Sequence, residues 1–411
     1  MMGIGDPSGG YAHAESTHVF EPFDAYAELR QRCPLHAERG HDPPFYVLTR
    51  FHDIIGVLKQ PALWGNRDGP GVFYQEAGVL GSTDDPDHAR HRRTLRSAFL
   101  PTAIARLEPR VATIADEMFD EIVPRGEGDF VDLYAYPFPA IVIGELLGVR
   151  PEDRDDFRRW SLVAVSALTG GDLHAYEEAK NAIADCIEVQ VTEREERLDG
   201  ADLPVGTDPI GSVVPDDVSS LLAVAHREGV LSRAELRHLG YQLLVAGHET
   251  TTSLIGLMLY RLIERPDVMA HLRADPSLVP EAIEEALRFD SPVQGLFRTN
   301  SAECTLAGET LPPRTKVQLL FGSANRDAEQ FVAPDEFRLD RDANELRRHV
   351  AFGWGIHYCI GAPLARLETR LTFERILARM DDIRLAGPPQ RNESFVLRGL
   401  TSLPLRWTPR R

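Results

Sequence analysis

Apolar positions recur with a helical period along most of the chain. The longest such run opens at Ser232-Arg-Ala-Glu235, a capping box, and continues to Glu264, where Arg265-Pro266 stops it. At about 1.5 Å per residue the predicted helix spans roughly 48 Å. Leu236, Leu239, Leu243, Ala246, Gly247, Thr250 and Leu254 fall on one stripe of it. The middle of that stripe, Ala246-Gly-His-Glu-Thr-Thr251, is small and polar, a poor choice for a packed core. A glycine beside a threonine able to bond back to the chain permits a kink and opens a groove for a small ligand. Helical projection points Glu249 away from the stripe, so bringing it to the same place as Thr250 requires that kink.

Elsewhere the pattern alternates. Residues 22–32 read as a helix, 45–50 as a strand, and the segment to Lys59 as amphipathic. Asp85-Pro86 starts another helix, on which His88, Arg92, Leu95 and Phe99 share one narrow face. Basic groups on an apolar face need a buried or half-buried anion. Arg90, Arg93 and Arg96 lie off that face, with no acid between Asp87 and Glu108, and predict a local positive patch. Residues 103–200 are mostly helical, broken at Pro124-Arg-Gly126 and Gly170-Gly171, and 198–217 read as a loop inside one domain. Residues 61–81 are turn-rich yet carry Trp64, Val72, Phe73, Tyr74, Val79 and Leu80, which suits a binding loop better than a solvated one. Glu285 and Arg288 are three apart on a further helix and can pair. Residues 293–298 follow the Ser291-Pro292 turn as a short irregular strand. The pattern predicts a mainly α fold with small β-sheets, of the α+β class.

Composition narrows the classes. With 45 basic and 63 acidic residues the net charge is −18, which disfavours nucleic acid and anionic membrane surfaces as partners. The four cysteines, Cys33, Cys186, Cys304 and Cys359, form no CxxC pair, which argues against a zinc site or a disulfide framework and fits the cytoplasm. Residues 1–19 carry Gly, Asp, Ser and His where a leader peptide has an apolar run, and no run is long enough to span a bilayer.

One stretch concentrates chemistry. Residues 349–368 place Gly353, Gly355 and Gly361 around Cys359, with Pro363 near the first position of a following helix. A thiol at a helix entrance ionises readily and can ligate a metal or act as a nucleophile. Six positions in ten residues, Phe352, Gly353, Gly355, His357, Cys359 and Gly361, resemble the haem-ligand loop of the cytochrome P450 family, the haem-thiolate monooxygenases. The likeness is strong over 232–370 and good around 84–100.

The resemblance implies a single P450 domain over 1–411, with an N-terminal β-containing part at about 20–60, a helical core at about 84–290 and a haem-binding part at about 291–411, its long central helix lying over the haem. It implies haem b (iron protoporphyrin IX) with Cys359 as the axial iron ligand. Around the cofactor it places His357, Phe352, Gly353, Gly361 and Ala246, with His88, Arg92 and Arg298 as propionate partners. Thr250 and Glu249 match the oxygen-activating alcohol and acid. The substrate pocket is expected from Phe73, Tyr74, Leu80, Leu243, Ala246, Gly247, Val293, Gln294, Leu296, Val396 and Leu397. A structural network joins Glu285 and Arg288, with Arg341 standing in for an arginine whose usual position is held by Glu336. The implied reaction inserts one atom of O2 into a hydrophobic small molecule by hydroxylation, epoxidation or dealkylation. No dinucleotide, flavin or iron–sulfur motif is found, so the electrons are expected from a separate ferredoxin and ferredoxin reductase, with Arg93 and Arg96 in the docking patch. A cytoplasmic monomer with no membrane or nucleic-acid partner is the expectation. A peroxide-driven or isomerising enzyme would share the Cys359 loop without needing Glu249-Thr250, and a non-catalytic haem sensor would need no proton relay.

Overall fold

The computed structural model describes residues 21–75, 78–153, 155–157, 159, 160, 163, 173–202, 207–392 and 394–410. The N-terminal stretch 1–19, the Gly170-Gly171 break and positions 203–206 of the 198–217 loop lie outside them. About 56% of the described residues are helical, accompanied by small sheets. The elements are α1 Phe23–Arg32, β1 Leu35–Glu38, β2 Phe45–Leu48, α2 Phe51–Leu58, β3 Trp64–Gly65, α3 Asp87–Leu95, α4 Pro101–Ile122, β4 Glu127–Asp129, α5 Pro137–Leu147, α6 Leu173–Asp199, α7 Val218–Arg227, α8 Arg233–Glu264, α9 Pro266–Ala274 and α10 Val279–Asp290. There follow β5 Leu296–Asn300, β6 Cys304–Leu306, β7 Glu309–Leu311, β8 Lys316–Leu319, α11 Phe321–Ala324, α12 Ala343–Leu346, α13 Ala362–Arg379, β9 Met380–Leu385, β10 Gln390–Arg391, β11 Leu400–Ser402 and β12 Pro404–Pro409. The chain gathers into two compact units, each built from three separated stretches, with crossings after Asp84, Thr252, Cys359, Asp382 and Pro404.

The first unit holds the described residues up to Asp84 together with Ser253–Cys359 and Ile383–Pro404. Its sheet has the order β1-β2-β8-β5-β3, with β2 and β8 parallel and the other pairs antiparallel. Every residue of β8 is buried, as expected for a central strand covered on both faces. One side packs Leu48, Phe51, Ile54, Trp64, Val317, Leu319, Phe331 and Val350; the other packs Tyr26, Phe45, Val47, Val72, Phe297 and Leu320.

The second unit holds Asp85–Thr252, Ile360–Asp382 and Leu405–Arg411. Helices α3 to α7, the first part of α8 and α13 build it, and a sheet of order β4-β12-β9 closes it. Phe119, Phe130, Tyr134 and Phe138 stack in its core, where the Tyr134 hydroxyl reaches Thr372 Oγ1 at 3.1 Å. Gly240 lets α8 approach α6, because a Cβ there would stand 2.7 Å from Ile187.

Helix α8 begins where the capping box places it. Ser232 N–H donates to Glu235 Oε2 at 2.8 Å, and Glu235 N–H donates to Ser232 Oγ at 3.3 Å. It is an unbroken α-helix through 246–251, so the interruption that the glycine and threonine permit is not taken up there. The strand expected at 293–298 lies at Leu296–Asn300. The residues before it are held by Val396 and Leu397: Gln294 N–H donates to Val396 O at 2.7 Å, and Val293 bridges Leu397.

Candidate functional site

In the first unit the cysteine loop is shaped by its backbone. Gly353 and Gly355 take φ of +69° and +72°, the left-handed region that glycine alone enters without strain. Cys359 N–H then donates to Phe352 O at 2.9 Å, which closes the loop and leaves the Cys359 side chain exposed. Cys359 lies two residues before Gly361, the cap of α13, and Pro363 sits in that helix's first turn.

Behind the loop, Glu285 pairs with Arg288 at 2.7 Å, and its two oxygens accept from Arg341 Nε at 2.9 and 3.0 Å. All three side chains are essentially inaccessible. A buried carboxylate facing two guanidiniums is fully met, and removing one partner of such a pair costs about 3–5 kcal/mol. Glu336 takes part through its backbone carbonyl, which accepts from Arg288 at 3.0 Å and Arg341 at 2.8 Å, so its side chain need not be an arginine. Asn325 carries this network to the loop. Its carbonyl oxygen of the backbone accepts from Arg288 at 2.9 Å, its side-chain amide bonds Ser291 Oγ at 2.8 Å, and its Oδ1 accepts from Val350 N–H at 2.7 Å. Asn325 is not among the residues expected from the sequence, since its partners Ser291, Arg288 and Val350 all lie far along the chain.

Arg298 is 4% exposed and donates to Phe297 O at 2.9 Å. Among the described residues it makes no ion pair, and burial pushes its guanidinium down to about 10 against the pull of Asp84. A cation in that position calls for an anion, and no described carboxylate pairs with it directly. The carboxylate-bearing rim of haem meets that requirement, so the residues present fit the group. His357 is half-buried. The Gln294 side chain is taken up in fixing the segment: its Nε2 donates to Asp290 O at 2.8 Å and Ser291 O at 2.6 Å, and its Oε1 accepts from Tyr26. Val293, Leu296, Val396 and Leu397 remain partly buried beside it, Leu80 is buried, and Phe73 and Tyr74 are exposed on the 61–81 loop.

The second unit carries the polar turn of α8 and the basic helix α3. Thr250 Oγ1 donates to Ala246 O at 2.9 Å, the back-bond expected of a helical threonine. Ala246 is exposed although Leu243, Leu244 and His248 around it are buried, so this turn fronts open space. His248 fixes it from behind, with Nε2 2.8 Å from Tyr136 O. Gly247 has little freedom for a side chain, since a Cβ there would stand 3.2 Å from Ile143. Burial raises the Glu249 carboxyl to about 7. His88 is buried with Nδ1 3.4 Å from Asp85; burial lowers its imidazole and Asp85 opposes that. Arg92 is half-buried on the same face. Arg90 leaves the expected patch: it donates to Glu235 at 2.5 Å, Asp87 at 2.8 Å and Val230 O at 2.7 Å. Arg93 and Arg96 are exposed and make no ion pair among the described residues.

Comparison with known proteins gives the family. The family described as Cytochrome P450 matches residues 156–398. Cytochrome P450 107B1 of Saccharopolyspora erythraea is 40% identical over 402 residues, 93% of this chain and 94% of that protein. Vitamin D(3) 25-hydroxylase of Pseudonocardia autotrophica is 36% identical over 404 residues, 95% of this chain and 94% of that protein. The crystal structure of a Bacillus megaterium P450 in complex with corticosterone aligns with a TM-score of 0.82 at 31% identity, covering 95% of this chain and 99% of that one. The chain belongs to the cytochrome P450 family, among its bacterial members. It is a haem-thiolate monooxygenase. No described helix is long and apolar enough to cross a membrane.

Proposed function

We propose that this P450 binds haem b and hydroxylates an apolar, steroid-sized substrate with electrons from a ferredoxin and its reductase in the cytoplasm. The balance is R–H + O2 + 2e− + 2H+ → R–OH + H2O. Haem bound through a thiolate supplies the oxygen-activating chemistry, since sulfur donation favours O–O cleavage. Cys359 would provide that thiolate. Arg298, with His88, Arg92 and His357, would hold the propionates, and Phe352, Gly353, Gly361 and Ala246 would border the ring.

The observation that carries the reading is Glu249, an acid raised to about 7 in the same polar turn as Thr250; on the unbroken helix the two side chains point about 100° apart, so water has to link them. A carboxyl poised there can take up and release a proton near neutral pH, and a water held at the Thr250 hydroxyl can pass it on. A haem carrier has no use for such a pair. The substrate class is supported by the apolar candidates Phe73, Leu80, Leu243, Val293, Leu296, Val396 and Leu397, and by relatives named for vitamin D(3) hydroxylation or solved with corticosterone.

With surrogate ferredoxin and reductase, NAD(P)H oxidation is expected to rise on adding a steroid such as testosterone and to yield a product carrying one oxygen from labelled O2. Oxidation that ignores the steroid, with no labelled product across a panel of apolar molecules, would overturn the substrate proposal. Arg93→Glu and Arg96→Glu are each expected to slow reduction by ferredoxin roughly tenfold at low salt, the gap closing once the Debye length falls well below 10 Å. Rates unchanged across an ionic-strength series would remove these residues from the docking surface.

A further inference from the structure

Lys316 opens the central strand β8 and is 1% exposed. An ammonium loses much hydration there, and stays only if its donors are met. Backbone meets them. Nζ donates to Asp68 O at 2.9 Å, Gly69 O at 2.9 Å and Gly71 O at 2.7 Å, so all three N–H groups have an acceptor. The carbonyl between them, Pro70 O, accepts from Phe297 N–H at 2.9 Å on the adjacent strand β5. Four consecutive carbonyls, 68–71, therefore turn inward onto the sheet, with Gly69 at φ +86° allowing the turn.

The same loop is tied on its outer side. Tyr74 Oη donates to Arg314 O at 2.7 Å, Arg314 pairs with Asp68 at 3.3 Å, and the Lys316 ammonium stands 5.0 Å from the Tyr74 ring centroid. Phe73, next to Tyr74, is 64% exposed. An exposed aromatic on a glycine-rich loop would ordinarily sweep many positions; here the backbone just before it is pinned by one buried cation.

We propose that Lys316 is a positioning residue for substrate recognition: by gathering the carbonyls of Asp68, Gly69 and Gly71 it fixes the loop that presents Phe73, and so sets the bulk of the apolar molecule accepted. The proposal rests on reading the 61–81 loop as substrate-facing. Lys316→Met keeps the length and apolar stem of the side chain and removes its donors. Tyr74→Phe removes one outer tie and leaves the sheet interior untouched.

The test uses full-length holoprotein, with hydrogen exchange of segment 66–75 and Soret-monitored binding of two probes, testosterone and naphthalene. In Lys316→Met, exchange within 66–75 is expected to quicken at least tenfold while β1 and β2 stay protected, and the testosterone-to-naphthalene affinity ratio to change at least fivefold. Tyr74→Phe shifts both in the same direction by about twofold to threefold, and carries the test if the lysine variant does not fold. Unchanged exchange, or faster exchange with an unchanged affinity ratio, overturns the proposal. Wild-type protein that binds neither probe overturns the substrate class proposed above and this inference with it, whereas binding of both with unaltered preference in the variants overturns this inference alone.

Discussion

Cys359→Ser is expected to erase the strongly red-shifted Soret band of the reduced, carbon monoxide-treated protein and to lower monooxygenase turnover at least a hundredfold. A serine hydroxyl stays protonated at neutral pH, whereas a cysteine can supply a thiolate, and the thiolate is the species that binds metal. The substitution should leave the loop itself in place. The bond that closes it runs from the backbone N–H of residue 359 to Phe352 O, and the turns depend on Gly353 and Gly355. Circular dichroism and the unfolding midpoint should therefore stay close to wild type. A serine variant that kept the red-shifted band would place the iron ligand elsewhere and end the haem-thiolate assignment of this residue.

Glu249→Gln is expected to make the protein more stable and less active. Burial holds the Glu249 carboxyl at about 7, above its ordinary value of 4.5, so the native chain keeps this proton at a pH where the unfolded chain has lost it. Stability contributed by that proton is present in full below about 4.5, declines as pH rises toward 7, and is gone above it. Glutamine is neutral throughout. At pH 8 the variant should be more stable by up to roughly 3 kcal/mol, and near pH 4.5 it should match wild type. Product formed per NAD(P)H should fall by about a hundredfold, the size expected when a positioned acid is lost. Denaturant midpoints at the two pH values and coupled product assays separate the effects. Equal midpoints at pH 8 would show that burial does not strain Glu249, and unimpaired coupling would remove it from the proton path.

Several parts of this structure are written locally in the sequence. The start of α8 follows from two side chains three residues apart that bond each other's backbone, and its end from Arg265-Pro266. The cysteine loop follows from glycines that alone tolerate its turns. Arg341, which the resemblance puts in place of the usual arginine, lies on Glu285. What was not legible depends on partners far along the chain. Arg90 reads as part of an exposed patch because its own helix has no acid near it, yet Glu235, 145 residues on, takes it up. Gln294 reads as a pocket residue, and the sequence does not show that its carbonyl oxygen also takes a bond from Tyr26, 268 residues before it. Lys316 gave no signal at all, because its partners are carbonyls, which every residue type carries alike.

The interleaving of the two units bears on how the chain is made. Trp407 belongs to the middle strand of the β4-β12-β9 sheet, where its ring N–H donates to Val123 O at 3.0 Å and its backbone N–H to Gly126 O at 2.9 Å. The other unit waits for Ile383–Pro404. Neither can be finished while the ribosome is still translating that last stretch, so a long helical nascent chain must be kept from aggregating until its final strands emerge.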